Sequence, residues 1–310
     1  MSDSTASLRR QIDSATDLQA VVCTMKALAA SSIGQYEQSV LALGDYYRNV
    51  ELGLGACFRS MGPTRASHVS KATPAATQVV RAVVFGSDQG LVGRFNEAVA
   101  DHAVAELAAL ATPQIWAVGE RVHSRLADAG MPPVGRFAVP TSVNAIATLV
   151  AQILTASQLH VAHDMNAELR LFYNSPSTGS TYASVGQRLL PLDDDWRRTR
   201  TELKWPNKNL PELIGGASTL GPLIGEYLFV SLFKACAESL ASENASRLAA
   251  MQRADRNIDE VLETLRSDFH RLRQSSIDEE LFDVISGYEA LTHDKKTELQ
   301  GTSLKVTPTA

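Results

Sequence analysis

Each end of this chain carries a long run of residues in which apolar side chains recur every three or four positions. The runs span residues 4–60 and 223–291, and neither contains proline. In the first run the apolar positions are Leu18, Val22, Met25, Ala29, Ile33, Tyr36, Val40, Leu43, Tyr47, Val50 and Leu54. In the second they are Met251, Ala254, Ile258, Leu262, Leu265, Phe269 and Leu272, followed after a phase shift by Ile277, Leu281, Val284, Tyr288 and Leu291. Sustained heptad spacing is typical of coiled-coil helices, so we expect the two runs to pair antiparallel.

The middle of the chain, residues 79–205, has a different pattern. Short apolar runs rich in β-branched residues at 79–87, 114–119, 137–140, 167–175 and 181–193 predict strands. Helical patterns at 94–111, 120–130 and 144–160 separate the first four of them. Strands that alternate with helices indicate a mostly parallel sheet flanked by helices. The predicted fold is therefore an antiparallel coiled coil with an inserted Rossmann-like α/β domain.

Two segments rich in proline and in small or polar residues mark the predicted boundaries. Residues 61–78 contain Pro63 and Pro74, and residues 206–222 contain three prolines and three glycines. Breakers of this kind end helices and strands. Beyond residue 291 the chain is polar, and we expect residues 292–310 to form a disordered tail.

Composition excludes several classes of function. The net charge is -5 and no dense basic run occurs, which argues against nucleic-acid binding. No segment approaches the roughly 20 uninterrupted apolar residues of a membrane helix, and the polar N-terminus has no apolar signal core, so we expect no direct membrane insertion. The three cysteines are too widely spaced for a metal signature, and we read them as small buried hydrophobes.

Two motifs could carry chemistry. The turn Ser87-Asp88-Gln89-Gly90-Leu91-Val92-Gly93 follows a predicted strand and opens a helix, where a glycine-rich loop can hold a phosphate. It lacks the Walker lysine pattern, so we interpret Ser87, Asp88, Gly90 and Gly93 as a structural turn. Three consecutive aspartates at 193–195 cannot all face one ion, and we interpret them as a solvated loop. We predict no catalytic residue, no cofactor and no metal site.

Three sequence motifs resemble the gamma subunits of rotary ATP synthases. The segments ASRLAAMQRADRN and RQSSIDEELFDVISGYEAL match that family's C-terminal helix. The segment SDQGLVGRFN is similar to the family's S-D-R-G-L-C-G-x-F-N, and MKALAAS is similar to its M-x-M-V-A-A-S. The matches occur in the family's order and span nearly the whole chain.

The resemblance implies a non-catalytic central stalk that couples ion flow through a membrane rotor to ATP synthesis or hydrolysis. Its partners would be the alpha and beta subunits, an epsilon subunit and the ring of c subunits. It would lie peripherally at the cytoplasmic face of a bacterial plasma membrane. The subunit contacts that the resemblance implies are Met25, Lys26, Arg273, Gln274 and Asp278.

The chain also departs from the family in ways that matter for those contacts. The family's first helix is rich in lysine and arginine, but Lys26 is the one cation between residues 14 and 47. Asp278 replaces a threonine and Gln89 an arginine. We interpret the chain as a divergent member, with the alternate sodium-type bacterial enzymes as a candidate group. Two alternatives remain at this point: a nucleotide- or metabolite-binding α/β enzyme with a coiled-coil arm, and a coiled-coil scaffold.

Overall fold

The computed structural model describes residues 2–69, 80–110, 113–157, 168–177, 180–206 and 216–302. The chain divides into two compact units. The end unit takes its residues from Met1–Thr24 and Arg253–Ala310, and the central unit is Met25–Gln252. Each is described by itself below.

Two long helices dominate the chain: α1, Ser2–Val69, and α6, Leu220–Thr302. Both extend further than the sequence predicts. Helix α1 passes Pro63, because an interior proline removes one hydrogen bond and weakens a helix without forbidding it. Helix α6 continues beyond residue 291 through a stretch of good helix formers, so residues 292–302 are helical and do not form the expected disordered tail. Residues 303–310 lie outside the described residues, as do residues 70–78 of the predicted break 61–78 and residues 207–215 of the predicted break 206–222.

Within the central unit, α1 and α6 run antiparallel. Tyr46 of α1 donates a hydrogen bond from its hydroxyl to Oε2 of Glu226 over 2.6 Å. The Tyr47 and Tyr227 rings lie 6.1 Å apart between centroids, whereas the earlier residue Tyr36 lies in the field of the later residue Glu243. The order along α1 is thus reversed along α6, as the two heptad runs predict.

The described residues of the inserted domain form five strands and four shorter helices. The elements are β1 Val80–Phe85, α2 Phe95–Leu107, β2 Gln114–Val118, α3 Glu120–Asp128, β3 Gly135–Phe137, α4 Val143–Ala156, β4 Glu168–Ser177, β5 Ser180–Leu190 and α5 Asp194–Thr201. The strand order is β3-β2-β1-β4-β5, in which the first four strands are parallel and β5 is antiparallel to β4. The predicted alternation is confirmed, and β3 lies slightly earlier than the expected 137–140.

The sheet is buried on both faces. One face packs with α4 and with the central-unit parts of α1 and α6, through residues such as Leu169, Leu171 and Leu228. The other face packs on α2 and α3 through Val84, Phe172 and Leu126. Burial on both faces explains why the parallel strands read as continuous apolar runs.

One stretch of α6, within Leu220–Glu289, is long and apolar enough by length and composition to cross a membrane. More than half of this apolar stretch is buried inside the protein. In the same helix, the side chains of Tyr227, Leu228 and Leu232 lie in the core cluster that includes the sheet. This burial is typical of a core helix that passes a composition test without a membrane.

Helix α5 was not predicted from the sequence. The aspartates expected to form a solvated loop begin this helix: Asp193 is its N-cap, and its Oδ1 accepts a hydrogen bond from the Trp196 amide over 2.7 Å. Asp194 and Asp195 occupy the first turn, where carboxylates stabilise the positive end of the helix dipole. The signal was present in the sequence, since aspartate is a preferred N-cap residue.

Candidate partner-binding surface

The end unit contains two antiparallel helical segments with little buried surface. The Gln19 Nε2 amide donates to Oδ1 of Asp259 over 2.6 Å, and the Cys23 thiol lies 3.8 Å from Oδ1 of Asp255. From Gln19 to Cys23 the contact advances four residues along α1, while its partner on α6 moves back four residues, from Asp259 to Asp255. The two segments are therefore antiparallel. Among the end-unit residues that the structure describes, Val22 and Leu262 are the buried apolar side chains.

The same unit exposes a large apolar surface, which we call the end-unit apolar surface. It includes Leu281 at 56% exposure, Phe282 at 67% and Val284 at 70%. Among the end-unit residues whose side chains the structure describes, the large exposed apolar ones are Leu18, Val21, Val261, Ile277, Leu281, Phe282, Val284, Ile285 and Tyr288. Five of them lie between Leu281 and Tyr288, and exposed apolar side chains concentrated in this way mark interaction surfaces.

The helix register explains the exposure. Gln19 pairs with Asp259 and Cys23 with Asp255. If this register is extended to the beginning of α1, Ser2 lies roughly opposite Ser276. Helix α6 therefore continues beyond the described part of α1 by about 26 residues, or roughly 39 Å at 1.5 Å per residue. No described residue of α1 lies opposite the heptad positions Ile277, Leu281, Val284 and Tyr288.

Charges on this part of α6 are segregated along the sequence. Arg266, Arg271 and Arg273 precede an acidic group of Asp278, Glu279, Glu280 and Asp283. Arg271 is paired with Asp268 on its own helix, at 3.0 Å between Nη2 and Oδ1. A partner that covers this surface must therefore present apolar groups beside charges of both signs.

The structure places the predicted contact residues in different units. Arg273, Gln274 and Asp278 are exposed on α6 in the end unit. Met25 and Lys26 are half-buried on α1, at the beginning of the central unit.

The turn after β1 is held by side-chain hydrogen bonds. The buried Ser87 donates its amide to Oδ1 of Asn96 over 2.9 Å and its hydroxyl to the Gln89 carbonyl over 2.8 Å. The Asp88 carboxylate accepts from the amides of Glu120 and Val139, over 2.9 and 2.8 Å. These bonds connect the turn to the starts of α2 and α3 and to the segment after β3.

Two residues of this turn have a left-handed backbone. The first is Gly93, with φ of 60°, a conformation that a glycine adopts without steric cost. Gly90 of the same turn lies near the Arg121 guanidinium. Leu91 has φ of 63° and is 62% exposed, a conformation that costs an ordinary L-residue about 1–2 kcal/mol.

The carboxyl edge of β1 and β4 is the place where an open parallel sheet of this order most often binds a ligand, since the chain connections diverge there. In this domain the edge is filled by its own polar groups. Asn174 is fully buried, donates its amide to the Phe95 carbonyl over 2.9 Å and accepts from the Ser184 hydroxyl over 2.7 Å. Asn96 and Ser87 bond each other beside it. No cluster of residues suited to hold a metal occurs among the described residues.

A buried ion pair lies on α6 in the central unit. Glu243, 5% exposed, binds the Arg247 guanidinium at 2.6 Å between Oε1 and Nη2. Burial raises the pKa of Glu243 above its ordinary value, the Arg247 charge opposes that shift, and the Asp88 charge adds to it. The field of Asp88 shows that the turn after β1 lies within electrostatic range of α6.

The sequence pattern predicts residues of the end-unit apolar surface as positions of a coiled-coil seam. The structure exposes five of those seam positions: Leu18, Ile277, Leu281, Val284 and Tyr288. Heptad spacing carries no signal that separates a buried seam position from an exposed one, because that difference depends on how α1 and α6 pair.

Comparison with known proteins gives a consistent result. Residues 4–291 match the ATP synthase family. The chain is 24% identical over 294 residues to the ATP synthase gamma chain of Bdellovibrio bacteriovorus, covering 92% of this chain and 97% of the relative. It is 26% identical to the gamma chain of Salinibacter ruber and 27% identical to that of Geotalea daltonii, with the same 92% of this chain covered.

Solved structures share the fold. A chain in the rotor of the Euglena gracilis mitochondrial ATP synthase superposes with a TM-score of 0.56 at 16% identity, covering 89% of this chain and all of that one. A chain in the central stalk and c-ring structure of the Tetrahymena thermophila mitochondrial ATP synthase gives 0.51 at 20% identity, covering 76% and 99%.

Proposed function

This chain belongs to the ATP synthase family, and we propose that it is the gamma subunit, the central stalk that turns inside a ring of alternating alpha and beta subunits. It is a non-catalytic subunit of a membrane-associated complex. It couples ion flow through the membrane rotor to ATP synthesis or hydrolysis, while the beta subunits carry out the phosphoryl chemistry.

The end-unit apolar surface is the observation that carries this proposal. Among its described side chains, the helix pair of the end unit buries two apolar ones, Val22 and Leu262, and exposes nine large ones, so it gains little from its own packing. Each exposed leucine or phenylalanine is worth about 1.5–3 kcal/mol if a partner buries it completely. A sleeve of alpha and beta subunits supplies that cover.

Unequal contacts give such a stalk its mechanism. Three chemically identical beta subunits around one helix pair meet different faces of it. A difference in contact free energy between conformational states shifts each catalytic site towards a different state, and turning the stalk moves the preference to the next site. The chain requires no catalytic side chain for this function.

We place the specific subunit contacts at Arg273, Gln274 and Asp278 in the end unit and at Met25 and Lys26 in the central unit. The exposure of the first three residues supports a contact, and a guanidinium fork is suited to carboxylates and carbonyls. The hydrogen-bonded turn from Ser87 to Gly93, with Asp88 and Gly90, has a structural role in this proposal, supported by its bonds to three neighbouring segments.

The remaining partners follow from the same assignment. An epsilon subunit and the ring of c subunits join the stalk on the membrane side, and the complex lies at the cytoplasmic face of a bacterial plasma membrane. The gamma-chain relatives, which come from bacteria, support this location.

Co-purification tests the function directly. A tagged chain, co-expressed with the alpha and beta subunits of the same organism, should recover a hexamer of ATPase subunits. The purified chain alone should hydrolyse no ATP at neutral pH. Robust hydrolysis by the isolated chain, or its recovery without ATPase subunits, would refute the proposal.

A matched pair of variants locates the contact. Leu281→Ser with Val284→Ser should reduce recovery of the hexamer at least tenfold. The two substitutions remove apolar side chains that are exposed in the free chain and that the partner subunits would bury. Leu41→Ser with Val134→Ser changes equally exposed apolar residues of the central unit, at 77% and 61% exposure, and should leave recovery unchanged. Equal losses from both pairs would contradict the placement of the contact.

A further inference from the structure

Glu238 connects the inserted domain to the helix pair within the central unit. It lies on α6, and its side chain is 14% exposed. Its Oε2 accepts a hydrogen bond from the Ser175 hydroxyl over 2.9 Å, and the Tyr173 hydroxyl also donates to it. Tyr173 and Ser175 are two residues apart on β4, so they face the same side of the sheet.

The bonds at Glu238 extend to α1. The Lys234 ammonium lies 3.7 Å from Oε1 of Glu238 and 5.9 Å from the centroid of the Tyr47 ring. Burial and the charge of Glu238 raise the pKa of Tyr173, so its phenol remains a proton donor. One carboxylate thus joins side chains of β4, α6 and, through Lys234, α1.

The surrounding contact between sheet and helices is apolar. Val83, Leu169 and Leu171 face Leu228 and Leu232 of α6 in the same core cluster. Hydrophobic burial has no preferred direction, so the buried apolar area does not by itself select one orientation of the two surfaces. Hydrogen bonds to a charged acceptor are directional and strong, so they fix one arrangement of the two surfaces.

A second polar connection lies on α1. Arg200, on α5, binds Glu51 at 2.6 Å between Nη2 and Oε1, with both side chains mostly buried. Arg59 donates from Nη1 to the Thr201 carbonyl over 2.8 Å. The domain is therefore held to α6 through Glu238 and to α1 through Glu51.

We infer that Glu238 and Glu51 fix the angular register of the inserted domain on the helix pair, so that torque passes between them without slip. This inference rests on the proposed function, because a chain that does not rotate has no torque to pass. Two directed contacts on different helices fix the rotation of the domain about the helix axis more firmly than either contact alone. Both glutamates act by positioning and touch no reacting atom.

The experiment compares hydrolysis and pumping under load. Glu238→Gln with Glu51→Gln keeps the side-chain volumes and removes both charges. In the whole complex in vesicles, ATP hydrolysis without a gradient should stay within about twofold of wild type. ATP-driven ion pumping against a large opposing gradient should fall at least threefold. Asp128→Asn, which removes an exposed charge on α3, should change neither quantity.

A purely structural role predicts another pattern. Loss of stability alone would reduce the amount of assembled complex, so hydrolysis and pumping would fall in proportion at every load. That result, or normal pumping by the double variant under load, would overturn the inference. Thermal unfolding of the free variant chain establishes that it folds. Failure of the wild-type chain to assemble with ATPase subunits would instead refute the proposed function, and this inference with it.

Discussion

The two units use the same two helices and differ in what those helices meet. In the central unit the apolar side chains of α1 and α6 pack on a sheet, and Leu54, Leu228 and Leu232 are fully buried. In the end unit the two helices have only each other, and Leu281 and Val284 are more than half exposed. A heptad pattern therefore states that a side chain will be buried, but it does not state by which chain.

The largest expected effect compares one leucine from each unit. Leu228→Ala removes a fully buried side chain and should lower the free energy of unfolding of the free chain by about 2–5 kcal/mol. Leu281→Ala, at 56% exposure, should change it by less than about 0.5 kcal/mol. Urea unfolding of both purified variants measures the difference.

Assembly should rank these variants in another order. Leu281→Ala should weaken association with the alpha and beta subunits, although the free chain is as stable as wild type. If Leu281→Ala destabilises the free chain as much as Leu228→Ala does, the end unit has a core of its own and the contrast between the units fails.

The next effect concerns how closely neighbouring elements approach α1. A Cβ at Gly55 would overlap the Arg200 carbonyl oxygen, a backbone atom that cannot move aside without shifting α5. Gly55→Ala should therefore destabilise the chain by about 1–3 kcal/mol. Thermal unfolding, with the helix content followed by circular dichroism, measures it.

Gly44 is the matched control on the same helix. A Cβ there meets nothing within 4 Å, so Gly44→Ala should stabilise the chain by about 0.5–1 kcal/mol through helix propensity. Destabilisation by Gly44→Ala would mean that an unseen neighbour contacts this part of α1.

How far the sequence predicts the molecule follows from the same contrast. The strands and helices of the inserted domain were predicted because each has a period that burial imposes, as in the buried run Val80–Phe85. Helix α5 was missed because its eight residues carry caps and charges in place of an apolar stripe. The network around Glu238 could not be predicted, since Ser175 and Glu238 are 63 residues apart and neither belongs to a motif.

The exposure of the α6 end was equally beyond pattern reading. After a phase shift, Ile277 and Val284 repeat the three- and four-residue spacing of the stretch around Leu262 with the same kind of apolar residue. Leu262 has described residues of α1 opposite it and Val284 has none, and this difference is set by the register between two distant segments. A coiled-coil interpretation needs that register before it can separate a seam from an interface.

A smaller effect depends on pH and arises in the central unit. Because burial raises the pKa of Glu243, the folded chain holds its proton more tightly than the unfolded chain. Protonation of Glu243 therefore stabilises the folded chain. This stabilisation is fully present below the ordinary pKa of 4.5 and is lost as pH rises through the raised pKa that Glu243 has in the folded chain. The stability of wild type relative to Glu243→Gln, which cannot titrate, should therefore decrease as pH rises from 4 to 7. Urea unfolding at four pH values tests the sign, and an increase with pH would contradict it.

The smallest effect on the stability of the free chain should come from the predicted polar contacts. These variants therefore test sharply whether the end unit or the central unit contacts the partner subunits. Arg273→Ala with Gln274→Ala changes exposed residues of the end unit and should alter the free energy of unfolding by less than about 0.5 kcal/mol. In the complex the same pair should weaken assembly or coupling, because the guanidinium fork loses its partner on the beta subunit.

Lys26→Ala, in the central unit, should have little effect, since an exposed or partly exposed ion pair contributes about 0–1 kcal/mol. ATP-driven ion pumping in vesicles compares the two variants. If Lys26→Ala uncouples hydrolysis from pumping and the double variant does not, coupling depends on the charge of Lys26 on α1, and Arg273 with Gln274 is not the contact that carries it.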